Sequence, residues 1–88
     1  MPKNEGEHII TEKTKPLIYL TKGSKGKIIE IQGGHGFYRR LKVLGIREGQ
    51  IVRIISKQPL KGPITIALGS TQMTMGRGMA LKIFVEEL

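Results

Sequence analysis

Short runs of alternating apolar residues, each cut off by glycine or proline, limit what this chain can fold into. In residues 27–32, Ile29 and Ile31 share one face and Glu30 takes the other. In residues 50–57, Val52 and Ile54 lie on one face, with Ile51, Arg53 and Ile55 opposite. Apolar side chains on both faces predict a central strand. Residues 63–68 alternate Ile64, Ile66 and Leu68 against Thr65 and Ala67, with Pro63 at the strand start, where a missing N–H is tolerated. Gly69-Ser70 is a two-residue hairpin signal of the II′ kind, and residues 71–75 return with Met73 and Met75 on one face. Residues 81–86 complete the set, with Leu81, Ile83 and Val85 inward. Five strands this short predict a mainly β fold, a small and strongly bent barrel. A flat sheet would leave edges and an apolar face that one helix could not cover.

The helix belongs to residues 33–49, GGHGFYRRLKVLGIREG. Gly33, Gly34 and Gly36 open the segment and admit backbone conformations closed to other residues. Phe37, Leu41 and Leu44 then share one helical face, with Arg39 and Lys42 roughly opposite. Arg40 lies beside the apolar stripe, where a half-buried structural role and an exposed one are both open. Gly45 sits where a left-handed C-terminal cap is wanted, and Arg47-Glu48-Gly49 reads as a turn into the next strand. Gly76-Arg77-Gly78-Met79-Ala80 forms a second glycine-arginine corner of about one helical turn. The bland reading of the first helix is a crossover plugging the core, its charges a solvated face. The sharper reading is a recognition surface made by Tyr38, Arg39, Arg40 and Lys42 with Arg77 and Met79 of the corner.

With 88 residues there is room for one small domain. Pro16 marks its expected start: residues 1–15 read as a flexible extension and residues 16–88 as the folded unit. Within the extension, Ile9-Ile10 is the segment suited to adding a short edge strand. Leu17 and Leu20 suit a single helical turn over the core, and residues 21–26 a loop punctuated by Gly23 and Gly26. Cysteine is absent, which excludes disulfides and thiolate chemistry. No apolar run nears the roughly 18 residues a membrane helix needs, and residues 1–10 lack the apolar centre of a signal peptide. A cytoplasmic location is the expectation. Fifteen Lys and Arg against seven Glu give a formal charge of +8 and favour an acidic or polyanionic partner.

Little here resembles an active site. His8 and His35 are the only histidines, and no serine-histidine-acid arrangement is evident. No cofactor is expected. His35, beside a carboxylate of another chain, is the weak candidate for a surface-bound divalent metal. The GGHG loop lacks the spacing of a dinucleotide-binding loop and has no following Gly-Lys-Ser/Thr. Met73, Met75 and Met79 suit core packing. Arg39, Arg40, Arg47, Arg53 and Arg77 could line a phosphate track, so a nucleic-acid-binding barrel is the rival function. Against it, only Tyr19, Phe37, Tyr38 and Phe84 are aromatic, leaving little for base stacking.

In order and spacing, PLIYLTKGSKGKI, the glycine loop with Arg40-Leu41 and Leu44-Gly45-Ile46 before Gly49, GPITIALGS, and the residue 75–80 corner resemble the FeoA family of ferrous iron uptake. The likeness runs from about Pro16 to Glu86. It implies an SH3-like barrel, similar to the C-terminal domain of DtxR-type regulators. It further implies a non-enzymatic accessory role, binding the cytoplasmic GTPase portion of a FeoB-type membrane transporter. Gly33, Gly34, Gly36, Gly45, Gly49, Gly76 and Gly78 are then expected to shape the backbone. Self-association through exposed apolar edges is a third possibility.

Overall fold

A computed structural model describes residues 14–88. The expected extension and its Ile9-Ile10 segment lie almost wholly outside them. Six strands form one antiparallel sheet: β1 (Thr14–Pro16), β2 (Lys25–Ile31), β3 (Ile51–Lys57), β4 (Ile64–Leu68), β5 (Thr71–Met75) and β6 (Ile83–Glu87). Helix α1 (His35–Val43) follows β2, α2 (Arg77–Ala80) follows β5, and Leu17–Tyr19 make a single 3-10 turn after β1. The spatial order is β1-β6-β2-β3-β4-β5.

The described residues form six strands where about five were expected, because Thr14, Lys15 and Pro16 pair with Glu86, Val85 and Phe84. Lys15 Nζ also bonds Glu87 Oε1 at 2.8 Å. The sheet therefore takes in two residues before the expected boundary at Pro16. Nothing in their polar sequence signals a strand, since a short edge strand is set by its partner.

Two β-bulges bend the sheet around its core. Ile28 pairs with Val85 but Glu30 with Phe84, so Ile29 is an extra residue and the alternation of β2 changes phase there. Ile28 is buried in the core and Ile31 packs against it, instead of the expected pairing of Ile29 with Ile31. A similar shift between Ile54 and Ser56 makes Ile55 the extra residue of β3. Val52 and Ile54 face inward as expected, as do Ile64, Ile66, Met75, Ile83 and Val85. Leu17, Ile18 and Leu20 close one end of the core and Leu41 and Ile46 add to it.

Helix α1 ends in a Schellman motif. Gly45 has φ +90°, its N–H bonds the carbonyl of Lys42 at 3.0 Å, and the N–H of Ile46 bonds that of Leu41 at 2.9 Å. Ile46 and Leu41, the positions between which this motif's apolar contact forms, are both fully buried in the core. Leu44, assigned inward by helical spacing, is the cap itself and is 47% exposed. Leu81 meets the same end: it caps α2, lies 41% exposed, and β6 starts only at Ile83. The side chain of Gln50 braces the connection below α1, donating to the Gly45 carbonyl and accepting from the Arg47 N–H.

Of the glycines expected to shape the backbone, Gly33, Gly45 and Gly49 take positive φ. Gly34, Gly36, Gly76 and Gly78 do not, and a Cβ at each would meet nothing within 4 Å. Those four are not required for backbone shape. The β4–β5 hairpin is closed by Gly69 at φ +62° with Ser70 outside the left-handed region, as a II′ turn demands.

The turn before β4 is less well suited to its residues. Leu60 and Lys61 have φ of +59° and +64°, and Gly62 N–H bonds the Pro59 carbonyl at 3.1 Å. Consecutive left-handed residues across such a bond make a type I′ turn, which favours Asn-Gly. Each L-residue held left-handed costs about 1–2 kcal/mol. Leu60→Asn with Lys61→Gly is therefore expected to stabilise the fold by about 1–2 kcal/mol. A urea denaturation midpoint unchanged or lowered in that double variant would rule the turn out as a source of strain.

Candidate functional site: the outer face of the first helix

Leu41 and Ile46 pin α1 to the barrel from below, and Phe37 packs half-buried beside them. The Lys82 ammonium sits 4.9 Å from the Phe37 ring centroid, tying the segment after α2 to the start of α1. With these contacts fixing its roll, α1 turns His35, Tyr38, Arg39, Lys42 and Val43 outward around one open depression. A neighbouring shallow recess is lined by Gly33, Gly34, His35 and Tyr38.

Among the described residues the charge of this face is uncompensated. Helix α1 contains no acidic residue, and Arg40 and Lys42 in its last turn favourably face the negative end of the helix dipole. Lys42 lies 5.8 Å from the Tyr38 ring centroid. Among the described residues the one ion pair is Lys15–Glu87, and no carboxylate of theirs pairs with Arg39, Arg40 or Lys42. Apolar surface is interleaved with the cations, Val43 being 81% exposed beside the partly exposed Tyr38 and Leu44.

The structure thus brings Tyr38, Arg39 and Lys42 together. Arg40 is exposed, which settles its two readings, but it does not line the depression. Arg77 and Met79 are half-buried on α2, Met79 packing against the core, and neither lines the depression. His35 and Val43 complete the face and were not assigned to it from sequence; helical spacing from Tyr38, Arg39 and Lys42 carried the signal. Arg53 lies elsewhere, on the outer side of the sheet with Lys25, Ile51, Ala67 and Gly69. Among the described residues no three of His, Asp and Glu come together as a metal-holding group.

The model of the FeoA domain matches residues 15–87. The chain belongs to the FeoA family. That family comprises accessory proteins of ferrous iron transport. A protein of Methanocaldococcus jannaschii provisionally named Fe(2+) transport protein A is 33% identical over 72 residues, covering 82% of this chain and 85% of its own. A crystal structure of FeoA described as an iron uptake regulatory protein superposes with a TM-score of 0.79 at 31% identity, over 85% of this chain and 99% of that one. A manganese-dependent transcriptional repressor reaches a TM-score of 0.80 at 23% identity, over 89% of this chain and 44% of the repressor. That last likeness is one of fold alone, the SH3-like barrel shared by FeoA proteins and such repressors.

Proposed function

We propose that this FeoA-family chain is a non-enzymatic, cytoplasmic accessory protein of ferrous iron uptake. It docks on the cytoplasmic GTPase portion of a FeoB-type transporter through the outer face of α1. The observation that carries this reading is the depression in which Arg39 and Lys42, with no ion pair among the described residues, border exposed Tyr38 and Val43. Interface centres favour that mixture: tyrosine and arginine supply contact area and directional bonds, and the uncompensated charge selects an acidic surface. His35 stands beside Arg39 and Lys42, whose charge opposes a divalent cation there, so the surface favours a carboxylate-bearing protein over a metal. Among the described residues no helix is long and apolar enough to cross a membrane.

Binding of the purified GTPase domain to wild type and to an Arg39→Glu/Lys42→Glu double variant tests the reading. Affinity is expected to fall at least tenfold, about 1.4 kcal/mol, with the fold retained and stability lowered by about 1 kcal/mol through the reversed charge of Lys42 at the helix C-terminus. Equal affinity for both proteins would remove α1 as the contact. Filter binding to duplex and single-stranded nucleic acid at two salt concentrations addresses the rival: tight binding that collapses with salt would replace the transporter reading.

A further inference from the structure

The two edges of the sheet are built differently. Among the described residues the β1 edge has three residues, and it carries Lys15 and Pro16, two of the devices by which natural sheets discourage further pairing. The β5 edge has five residues, Thr71-Gln72-Met73-Thr74-Met75, with no charge, no proline and no bulge. The whole of residues 62–76 is free of charged side chains in a chain where 25% are charged. The electrostatic repulsion that a charge of +8 would impose on two copies is thus lowest along this hairpin.

The register shows which backbone groups of β5 are free. A two-residue hairpin loop makes Leu68 and Thr71 a hydrogen-bonded pair, so Met73 and Met75 also bond β4. The N–H and C=O of Gln72 and Thr74 therefore point out of the sheet. Neither residue has another backbone bond among the described residues. The Thr74 hydroxyl meets that of Thr65 at 2.8 Å, as befits a non-hydrogen-bonded pair, whose side chains lie closer.

We propose that β5 is a self-pairing edge: two copies of the chain join β5 antiparallel across a two-fold axis at Met73. In that register Gln72 of each copy faces Thr74 of the other, and all four outward groups of each copy are satisfied. Polar Gln72 and Thr74 remain on one face, while the half-buried Met73 side chains meet on the other. A register centred on Gln72 or Thr74 leaves part of this set unpaired. One short strand buries less than the roughly 1,000 Å² of a stable interface, so the dimer is weak and concentration-dependent. This pairing is independent of the transporter contact on α1.

Sedimentation equilibrium of the full chain up to roughly 1 mM should reveal a monomer–dimer equilibrium in the wild type. Gln72→Lys/Thr74→Lys and Gln72→Glu/Thr74→Glu each place like charges opposite one another and should weaken self-association at least tenfold, with unchanged far-ultraviolet circular dichroism. Mixing the two variants places Lys opposite Glu at both positions and should restore dimers as mixed pairs. A chain monomeric throughout, a dimer insensitive to either charged pair, or variants that fail to recombine would overturn the proposal. So would a wild-type dimer in which the Gln72 and Thr74 amides exchange with solvent as fast as in dilute solution.

Discussion

Replacing Leu41 by alanine is expected to destabilise the protein by about 2–5 kcal/mol, the range for truncating a fully buried leucine. Leu41 is the sole residue of α1 that is fully buried, and with Ile46 it holds the positions between which the Schellman motif's apolar contact forms. The substitution leaves a cavity and also loosens the end of the helix. For a domain of this size each kcal/mol moves the midpoint by roughly 4–8 °C. A thermal melt should thus shift by on the order of 10 °C or more. Val43→Ala is the matched control, since Val43 is 81% exposed and lies outside the core cluster. Its effect should stay within about 0.5 kcal/mol. Equal losses for the two variants would mean that α1 is not anchored as described. Without Leu41 the roll of α1 rests on Phe37 and Ile46, and the face of Tyr38, Arg39 and Lys42 is held less firmly against the barrel.

The second large effect is expected at Gly26. This glycine is buried inside β2, opposite Val52 on one side and Glu87 on the other. A Cβ placed there would lie 3.0 Å from Cβ and Cγ2 of Val85 and 3.1 Å from Cδ1 of Leu20. Alanine already demands that these neighbours give way by a few tenths of an ångström. Valine adds two further methyl groups where β2, β6 and the 3-10 turn meet, so Gly26→Val should cost about 1–3 kcal/mol by overpacking. Gly36→Ala offers the contrast. Its Cβ would meet nothing, and removing a helical glycine should stabilise by up to about 1 kcal/mol. Urea unfolding of both variants checks the pair, and a Gly26→Val protein as stable as wild type would show that the site has slack.

Gly26 also marks the limit of reading this fold from its residues. In the sequence it is the last punctuation mark of a loop; in the structure β2 begins before it, and its missing side chain is a packing requirement set by Val85 and Leu20. What distinguishes the two is contact with residues far away in the chain, which spacing does not encode. Thr14–Pro16 fails to announce itself for the same reason, as its extended form comes from pairing with β6.

Where structure is decided by neighbours in sequence, the residues were sufficient. Alternation in β3, β4 and β5, the II′ hairpin at Gly69-Ser70, the left-handed Gly45 and the single turns at Leu17–Tyr19 and Arg77–Ala80 all follow from local sterics and periodicity. Helical spacing likewise put Tyr38, Arg39 and Lys42 on one face. The order of motifs was enough to indicate the FeoA family. Tertiary structure alone decided that Ile28 and not Ile29 enters the core, because a bulge moves the phase of a strand only relative to its partner. It alone turned Leu44 and Leu81 outward, since a cap ends helical geometry and hands the inward position to the residue after it. It also left Arg40 exposed, where its place beside the apolar stripe had allowed burial. Local propensity acts over a few residues, whereas burial is shared among segments that meet only when the chain has closed on itself.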